Sequence, residues 1–426
     1  MIIFYRVLTT LLFPFLIIFI YFRKLFNREE QTRYKEKIFS SYFNVDRDQE
    51  KKLIWFHAVS VGELNSIIPV IEELNNKYKD LEFLITTTTL SSSTIFKKKF
   101  KRIYNIRHRF FPLDVAFLVK KFLKSWSPSL IFFVDSEIWP NLLIEAQRSK
   151  IPLGLINARI TTKSAKRWMK FPKSAEKIFS LFNFCLVANL ETKNFLEKLN
   201  VKNLFYNGNI KLATSIYPNK IKGVNDKFLI SKRFWLAAST HKDEDHFCLK
   251  THFLLKKKYP DIITIIAPRH INRVKKIKDL AEKFNFSVQT LNEGEKITNE
   301  KEIILINAFG VLDEYFKFAK SVFIGKSMIK RLKDEGGQNP INAAKLGCKV
   351  YHGPYVYNFQ DIYNILKKNK ISKKIENAED LNNNLMKDLE ILGEKNNNIS
   401  NIVNDLGQKT LLATMRDLNN FLNEIK

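Results

Sequence analysis

The chain has 426 residues, enough for two domains and a sizeable core. Its formal net charge of +28, part of it carried by a Lys-, Asn- and Ile-rich composition, draws it to anionic lipid or phosphorylated ligands, and the lack of a compact nucleic-acid motif argues against nucleic acid. Cys185, Cys248 and Cys348 lie far apart with no CxxC or Cys/His cluster, so neither a zinc site nor a disulfide framework is expected, and a reducing cytoplasm fits.

Residues 1–24 read as an uncleaved N-terminal membrane anchor. Leu11 to Phe22 is almost wholly Leu, Phe and Ile, and a helix of about 20 residues spans a bilayer's hydrocarbon core. Arg23, Lys24, Arg28, Arg33, Lys35 and Lys37 follow, which puts that side in the cytoplasm. No small-residue cleavage site follows the apolar run.

From Leu53 onward, buried strands alternate with helical periodicity, the pattern of a parallel sheet with helices on both faces. Strands are expected at Leu53–Val59, Phe83–Thr87, Ile131–Val134, Pro152–Ile156 and Cys185–Ala188. Between the first two, Leu64, Ile67, Ile68, Ile71 and Leu74 mark one helical face, with Pro69 expected to bend the helix. A second series is expected at Phe234–Ala238, Ile262–Ala267, Phe286–Thr290, Ile303–Ile306, Val322–Ile324 and Lys349–His352. Leu212–Asp226, with Tyr217-Pro218-Asn219, reads as a linker, and Asn382–Asn404 is rich in asparagine. The fold class is therefore α/β: two doubly wound Rossmann-like domains, residues 25–217 and 218–426, facing a cleft. Ligands of such sheets sit at the carboxyl ends of the strands.

Polar clusters stand at those ends. After the first strand, Ser60-Val61-Gly62-Glu63 opens a helix; Glu63 is either a base in a cleft or a partner of the helix dipole. Asp135-Ser136-Glu137 follows another strand, as working acids or as helix caps. Asn157-Ala158-Arg159 follows the next, and Arg159 can pair with those acids or meet a phosphate. Gly208-Asn209-Ile210-Lys211 lies at the domain junction, where a lysine suits a phosphate. In the second domain, Ser239-Thr240-His241 and Pro268-Arg269-His270 end successive strands with cationic donors. Gly336-Gly337-Gln338-Asn339-Pro340 precedes an apolar helix whose N-terminus favours an anion, and Gly353-Pro354 and Asn358-Phe359 follow the final strand. No GxxxxGK[ST] loop and no metal-ligand cluster occurs.

In this order, these motifs resemble the 3-deoxy-D-manno-octulosonic acid (Kdo) transferases of lipopolysaccharide assembly. The resemblance runs from the anchor to about residue 365 and rests on Trp55 to Glu63, Ser136 to Asn141, Asn157-Ala158-Arg159, Gly208 to Lys211, Ala237 to His241, Pro268-Arg269-His270, and Gly353-Pro354 with Asn358-Phe359. It implies a GT-B fold and inverting, metal-independent transfer of Kdo from CMP-Kdo to a phosphorylated lipid A precursor, lipid IVA, at a bacterial inner membrane. No cofactor is implied. Glu63 matches the family's general base and Glu137 a second important acid. Lys211, Ser239, Thr240, Arg269, His270, Gly337, Gln338, Asn339 and Asn342 fall on the donor side; Ser60, Gly62 and Arg159 fall on the acceptor side. The chain departs from the family pattern at Gln338, at Asn342, where a helix glutamate that contacts ribose is usual, and at Gly325-Lys326-Ser327, where Gly-Gly-Ser is usual. Asn342 is expected to weaken nucleotide binding. The same residues also fit another GT-B nucleotide-sugar transferase acting on a membrane lipid, or a non-catalytic sugar-nucleotide- or lipid-binding homologue.

Overall fold

Runs of Leu, Ile, Phe and Val that neither face can leave in water make the central strands of two parallel sheets. In the computed structural model, residues 1–101, 103–298, 300–391, 395 and 397–424 are described. The chain divides into two units, Met1–Thr214 with Gly407–Lys426, and Ser215–Leu406.

The first unit's strands are β1 (Lys52–His57), β2 (Leu81–Thr87), β3 (Ile106–Phe110), β4 (Leu130–Val134), β5 (Leu153–Ala158), β6 (Phe184–Val187) and β7 (Leu204–Tyr206). They lie in the order β3-β2-β1-β4-β5-β6-β7. Alternation along β1 sends Leu53 and Trp55 to one face, with Phe122 and Phe133, and Ile54 and Phe56 to the other, with Phe83 and Phe132. The second face is completed from the far end of the chain. Helix Asn398–Glu424 supplies Leu418, Phe421 and Leu422, and Phe421 stacks on Phe184 at 4.7 Å. Each such fully buried side chain contributes roughly 1.5–3 kcal/mol. The expectation that the second domain runs to residue 426 therefore needs correction, because residues 407–426 pack with the first unit.

The second unit holds β8 (Phe234–Thr240), β9 (Ile263–Pro268), β10 (Val288–Leu291), β11 (Ile303–Ile306), β12 (Ser321–Ile324), β13 (Lys349–His352) and β14 (Ser372–Lys374). Their order is β10-β11-β9-β8-β12-β13-β14, all parallel. Each sheet has a switch point where strands build outward to both sides, between β1 and β4 in the first unit and between β8 and β12 in the second, where β10 lies outside β11 at the edge. Those are the places where doubly wound sheets open a crevice for ligands. The unit boundary at residue 214 falls inside the expected linker. Of the asparagine-rich stretch, residues 392–394 and 396 lie outside the described residues.

The N-terminal segment is not one straight helix. Helices Ile2–Leu11 and Phe13–Leu25 are bent by 60° at a break, and among the described residues no single helix is long and apolar enough to cross a membrane. The first is also no appendage. Arg6 pairs with Glu145 at 2.6 Å, the Tyr5 hydroxyl donates to Asp114 at 2.9 Å, and Ile2 packs against the core, as does Phe13 at the start of the second helix. Elsewhere the pair is strongly apolar and bare, with Ile3 78%, Phe15 67% and Leu25 74% exposed.

Candidate active site

At the first unit's switch point, β1 runs into helix Val61–Lys77 through a capping box. The Ser60 hydroxyl oxygen accepts from the Glu63 amide, while the Glu63 carboxylate accepts from the Val59 amide at 2.7 Å and from the Ser60 hydroxyl at 2.9 Å. So Glu63 does serve the helix end, and it is also held in one rotamer at a strand's carboxyl end. Burial pushes its carboxyl up and the negative charge of Asp135 adds to this; the Ser60 and Val59 bonds and the Lys211 ammonium oppose it.

β4 runs directly into Asp135, which takes a left-handed φ of +59°. It caps no helix: helix Pro140–Arg148 starts from Trp139. Instead Asp135 pairs with the Lys211 ammonium on one oxygen and accepts from the Asn157 amide on the other. Asn157, also left-handed at +58°, accepts in turn from the Ile210 amide at 2.9 Å. Two strand ends and the 208–211 turn are thereby tied together. Lys211, expected to meet a donor phosphate, is committed to this acid.

Glu137 completes the cluster. Burial and the neighbouring Glu63 and Asp135 charges push its carboxyl up to about 7, against one bond from the Trp139 indole at 3.0 Å. Both carboxyls are raised, but their surroundings differ: Glu63 accepts from the Val59 amide and from the Ser60 amide and hydroxyl and has an ammonium nearby, whereas Glu137 has one indole. Glu137 also lines a cavity of about 370 Å³ with Met1, Ile2, Tyr5, Trp139 and Trp168. A Cβ at Gly62 would meet only the Ser60 hydroxyl, at 3.9 Å, so no packing inside the protein requires that glycine. Arg159 pairs with none of these acids among the described residues; its backbone amide donates to the Asp135 carbonyl at 3.3 Å. His57 is fully buried beside Thr86, and burial holds it neutral with a pKa down to about 3.

In the second unit, Ser239 sits left-handed at φ +58° and Thr240 is buried, its hydroxyl donating to Asp245. The rings of His241 and His270 lie 5.7 Å apart, and Arg269 and His270 are exposed at the end of β9. Next to them is a feature absent from the sequence expectations. The Glu244 carboxylate accepts four backbone amides, from His241, Lys326, Ser327 and Met328, at 2.7–3.0 Å. It thereby fills the concavity made by the 325–328 turn and fixes that turn against the end of β8. The only sign of this in the sequence is an acid three residues after His241 in a strand-to-helix turn.

The Gly336–Pro340 segment requires two corrections. The helix after it, Ile341–Lys345, has only five residues, and the Asn339 side chain already accepts the Ile341 amide. The glycines are demanded by the protein itself: a Cβ at Gly336 would lie 2.3 Å from the Tyr355 carbonyl, and Gly337, at φ +88°, faces the Val356 backbone. The Gln338 carbonyl accepts from the Tyr363 hydroxyl at 3.1 Å. Asn342 is not simply a weaker acceptor, because its amide donates to Asp313 at 3.0 Å. Burial raises the Asp313 carboxyl, and the Asn342 bond opposes that. Asp313 had no motif to announce it. Among the described residues, no three His, Cys, Asp or Glu side chains lie close enough to hold a metal.

The profile of the 3-deoxy-D-manno-octulosonic-acid transferases (kdotransferases) matches residues 32–214. The chain is 32% identical over 395 residues to the probable mitochondrial 3-deoxy-D-manno-octulosonic acid transferase of Arabidopsis thaliana, covering 88% of this chain and 86% of that one. It is 30% identical over 390 residues to the 3-deoxy-D-manno-octulosonic acid transferase of Rickettsia bellii, covering 89% of each. In fold it is similar to the UDP-GlcNAc 2-epimerase of Neisseria meningitidis, with a TM-score of 0.56 at 15% identity over 88% of this chain and 99% of that one. The GT-B fold follows from that likeness, and at these identities and coverages the chain belongs to the 3-deoxy-D-manno-octulosonic acid transferases, a glycosyltransferase family.

Proposed function

We propose that this protein transfers Kdo from CMP-Kdo to a hydroxyl of a phosphorylated lipid A precursor, lipid IVA, with inversion and with Glu63 as the general base. The observation that carries this reading is the pair Glu63 and Glu137. Burial raises both carboxyls, but Glu63 is surrounded by donors and an ammonium that favour its ionised form, whereas Glu137 has one indole and is pushed up to about 7. An ionised Glu63 takes the proton of the attacking hydroxyl as the new bond to the anomeric carbon forms. The bond from that carbon to the CMP phosphate breaks on the opposite face, and CMP leaves with the electron pair. Glu137 orients the acceptor or the base. Ser60, Gly62 and Arg159 are the acceptor-side residues, and the cavity beside Glu137 suits an apolar portion of a lipid acceptor. Ser239, Thr240, Arg269 and His270 are the donor-side residues, their cationic and hydroxyl donors matched to the charge that develops on CMP. Lys211 acts on the donor only indirectly in this reading, through Asp135 and Glu63.

The bare apolar side chains of the bent N-terminal helices support a place for the enzyme at the cytoplasmic face of an inner membrane, with one side of the pair docked on the first unit and the exposed side chains entering lipid. The decisive experiment is a reconstituted reaction with CMP-Kdo and lipid IVA, read by mass spectrometry of the lipid. Glu63→Gln should cut turnover at least about 10²-fold with CMP affinity unchanged. Near-normal turnover in that variant removes Glu63 from the mechanism, and no product with the unmodified protein removes the proposed reaction.

A further inference from the structure

The second unit carries a cavity of about 530 Å³ whose walls include Arg233 and Phe234 at the start of β8, Lys320 just before β12, and Lys345. This is the amino-terminal edge of the sheet. The donor-side residues stand at the other edge, the length of β8 away, or about 20 Å at the usual strand rise. Six of the described lining residues are cationic, Lys232, Arg233, Lys317, Lys320, Lys345 and Lys395, and none of the described ones is acidic. Three of them are already satisfied. Lys317 pairs with Asp226 at 3.0 Å, Lys320 donates to the Ile391 carbonyl at 2.6 Å, and Lys395 donates to the Leu346 carbonyl at 2.7 Å.

The other three are not. Lys345 is only 4% exposed, and its ammonium has one partner among the described residues, the neutral Asn404 amide oxygen at 3.2 Å. The Arg233 guanidinium lies 4.0 Å over the Tyr259 ring, and its buried Nε has no acceptor among the described residues. Lys232 has no carboxylate within ion-pair distance among the described residues; its ammonium lies 5.6 Å from the Phe228 ring. A desolvated ammonium and a guanidinium N–H without an acceptor are both costly unless a counter-ion joins them.

We propose that this cavity binds a phosphate ester, its oxygens taken by Lys345, Arg233 and Lys232 and its apolar substituent by Leu229, Phe234, Phe318 and Leu346. A phosphate dianion matches more than one uncompensated cation, where a carboxylate matches one, and the guanidinium edge suits paired phosphate oxygens. Burial alone brings the Lys345 ammonium down to about 8, so a bound anion also keeps it charged. The site does not rest on the proposed reaction.

The test uses the full chain in detergent, with thermal unfolding followed against increasing pyrophosphate and, separately, against monomeric dihexanoyl phosphatidic acid. Saturable stabilisation by at least one is expected, weakened at least about 10-fold in Lys345→Met and reduced in Arg233→Gln, with CMP titrations unchanged in both variants. Response to pyrophosphate alone assigns a free phosphate, and response to the lipid alone assigns a headgroup. Without ligand, Lys345→Met should unfold at the same or a higher temperature, because it removes a buried charge without a counter-ion. Absence of saturable binding, equal binding in all three proteins, or a lower midpoint of ligand-free Lys345→Met together with an unchanged response in Arg233→Gln overturns the proposal.

Discussion

Lys211→Met separates two roles that one lysine can play. If Lys211 supports the acid cluster, the variant leaves Asp135 without its counter-ion in a site where the two side chains are 15% and 12% exposed. Breaking a buried pair by removing one partner costs about 3–5 kcal/mol, and this residual exposure argues for roughly 3 kcal/mol. For a unit of this size that is a fall of about 6–12 °C in unfolding midpoint. The double variant Asp135→Asn/Lys211→Met removes both charges and should recover at least half of that loss, a coupling that single variants cannot reveal. The chemical consequence has a fixed sign. Lys211 holds the Glu63 carboxyl down, so without it Glu63 protonates at higher pH. The acid limb of the kcat profile must then move to higher pH, with the donor KM little changed. Melting curves, pH profiles of kcat and donor KM measured on the three proteins supply the test. An unmoved acid limb with a large rise in donor KM would refute this reasoning and return Lys211 to the donor phosphate.

Glu244→Gln keeps the shape of the side chain but replaces one acceptor oxygen by a donor facing amides. A loss of roughly 2–4 kcal/mol and a raised donor KM with kcat largely retained are expected, measured by unfolding and initial rates. Asn342→Glu exchanges a donor to Asp313 for a like charge, so CMP binding by calorimetry should stay the same or weaken and stability should fall by about 1–2 kcal/mol; tighter CMP binding would mean that the side chain leaves Asp313 for the nucleotide. Turnover should survive excess EDTA, with the Lys, Arg and His side chains at the strand ends supplying the positive charge; loss that magnesium or manganese restores would contradict this.

The central strands were legible because burial on both faces leaves an apolar signature, as in Ile131–Val134 or Ile303–Ile306. The strands that escaped, β3, β7 and β14, are all sheet edges. In β3 the sequence Ile-Arg-His-Arg-Phe alternates buried and half-buried, with Arg107 paired to Glu82 and Arg109 to Asp46, and its charges hide its periodicity. β7 and β14 have three residues each, too short for any period. At the site, strand-end position made Glu63 and Glu137 visible as candidates. What they touch was not legible, because Asp135–Lys211 and Asn342–Asp313 are separated by 76 and 29 residues. The reason for Gly336 and Gly337 was hidden in the same way, in backbone almost twenty positions later. The apolar run of the N-terminus was plain, but the Arg6 and Tyr5 contacts that seat it on the first unit run to residues more than a hundred positions away.

The return of the last helix to the first unit gives the gene an unusual map of vulnerability. Leu411, Met415, Leu418, Phe421 and Leu422 fill a core whose other walls are synthesised at the start of the message. A nascent chain cannot close that core until the ribosome has passed the whole second unit, so the first unit must wait, with Phe184 and its neighbours uncovered, during translation of nearly two hundred codons. A stop codon within the final twenty positions spares every residue of the second unit and strips the first of its lining. Tags or fusions at the carboxyl terminus would accordingly be felt in the first unit, beside Tyr78 and Phe184.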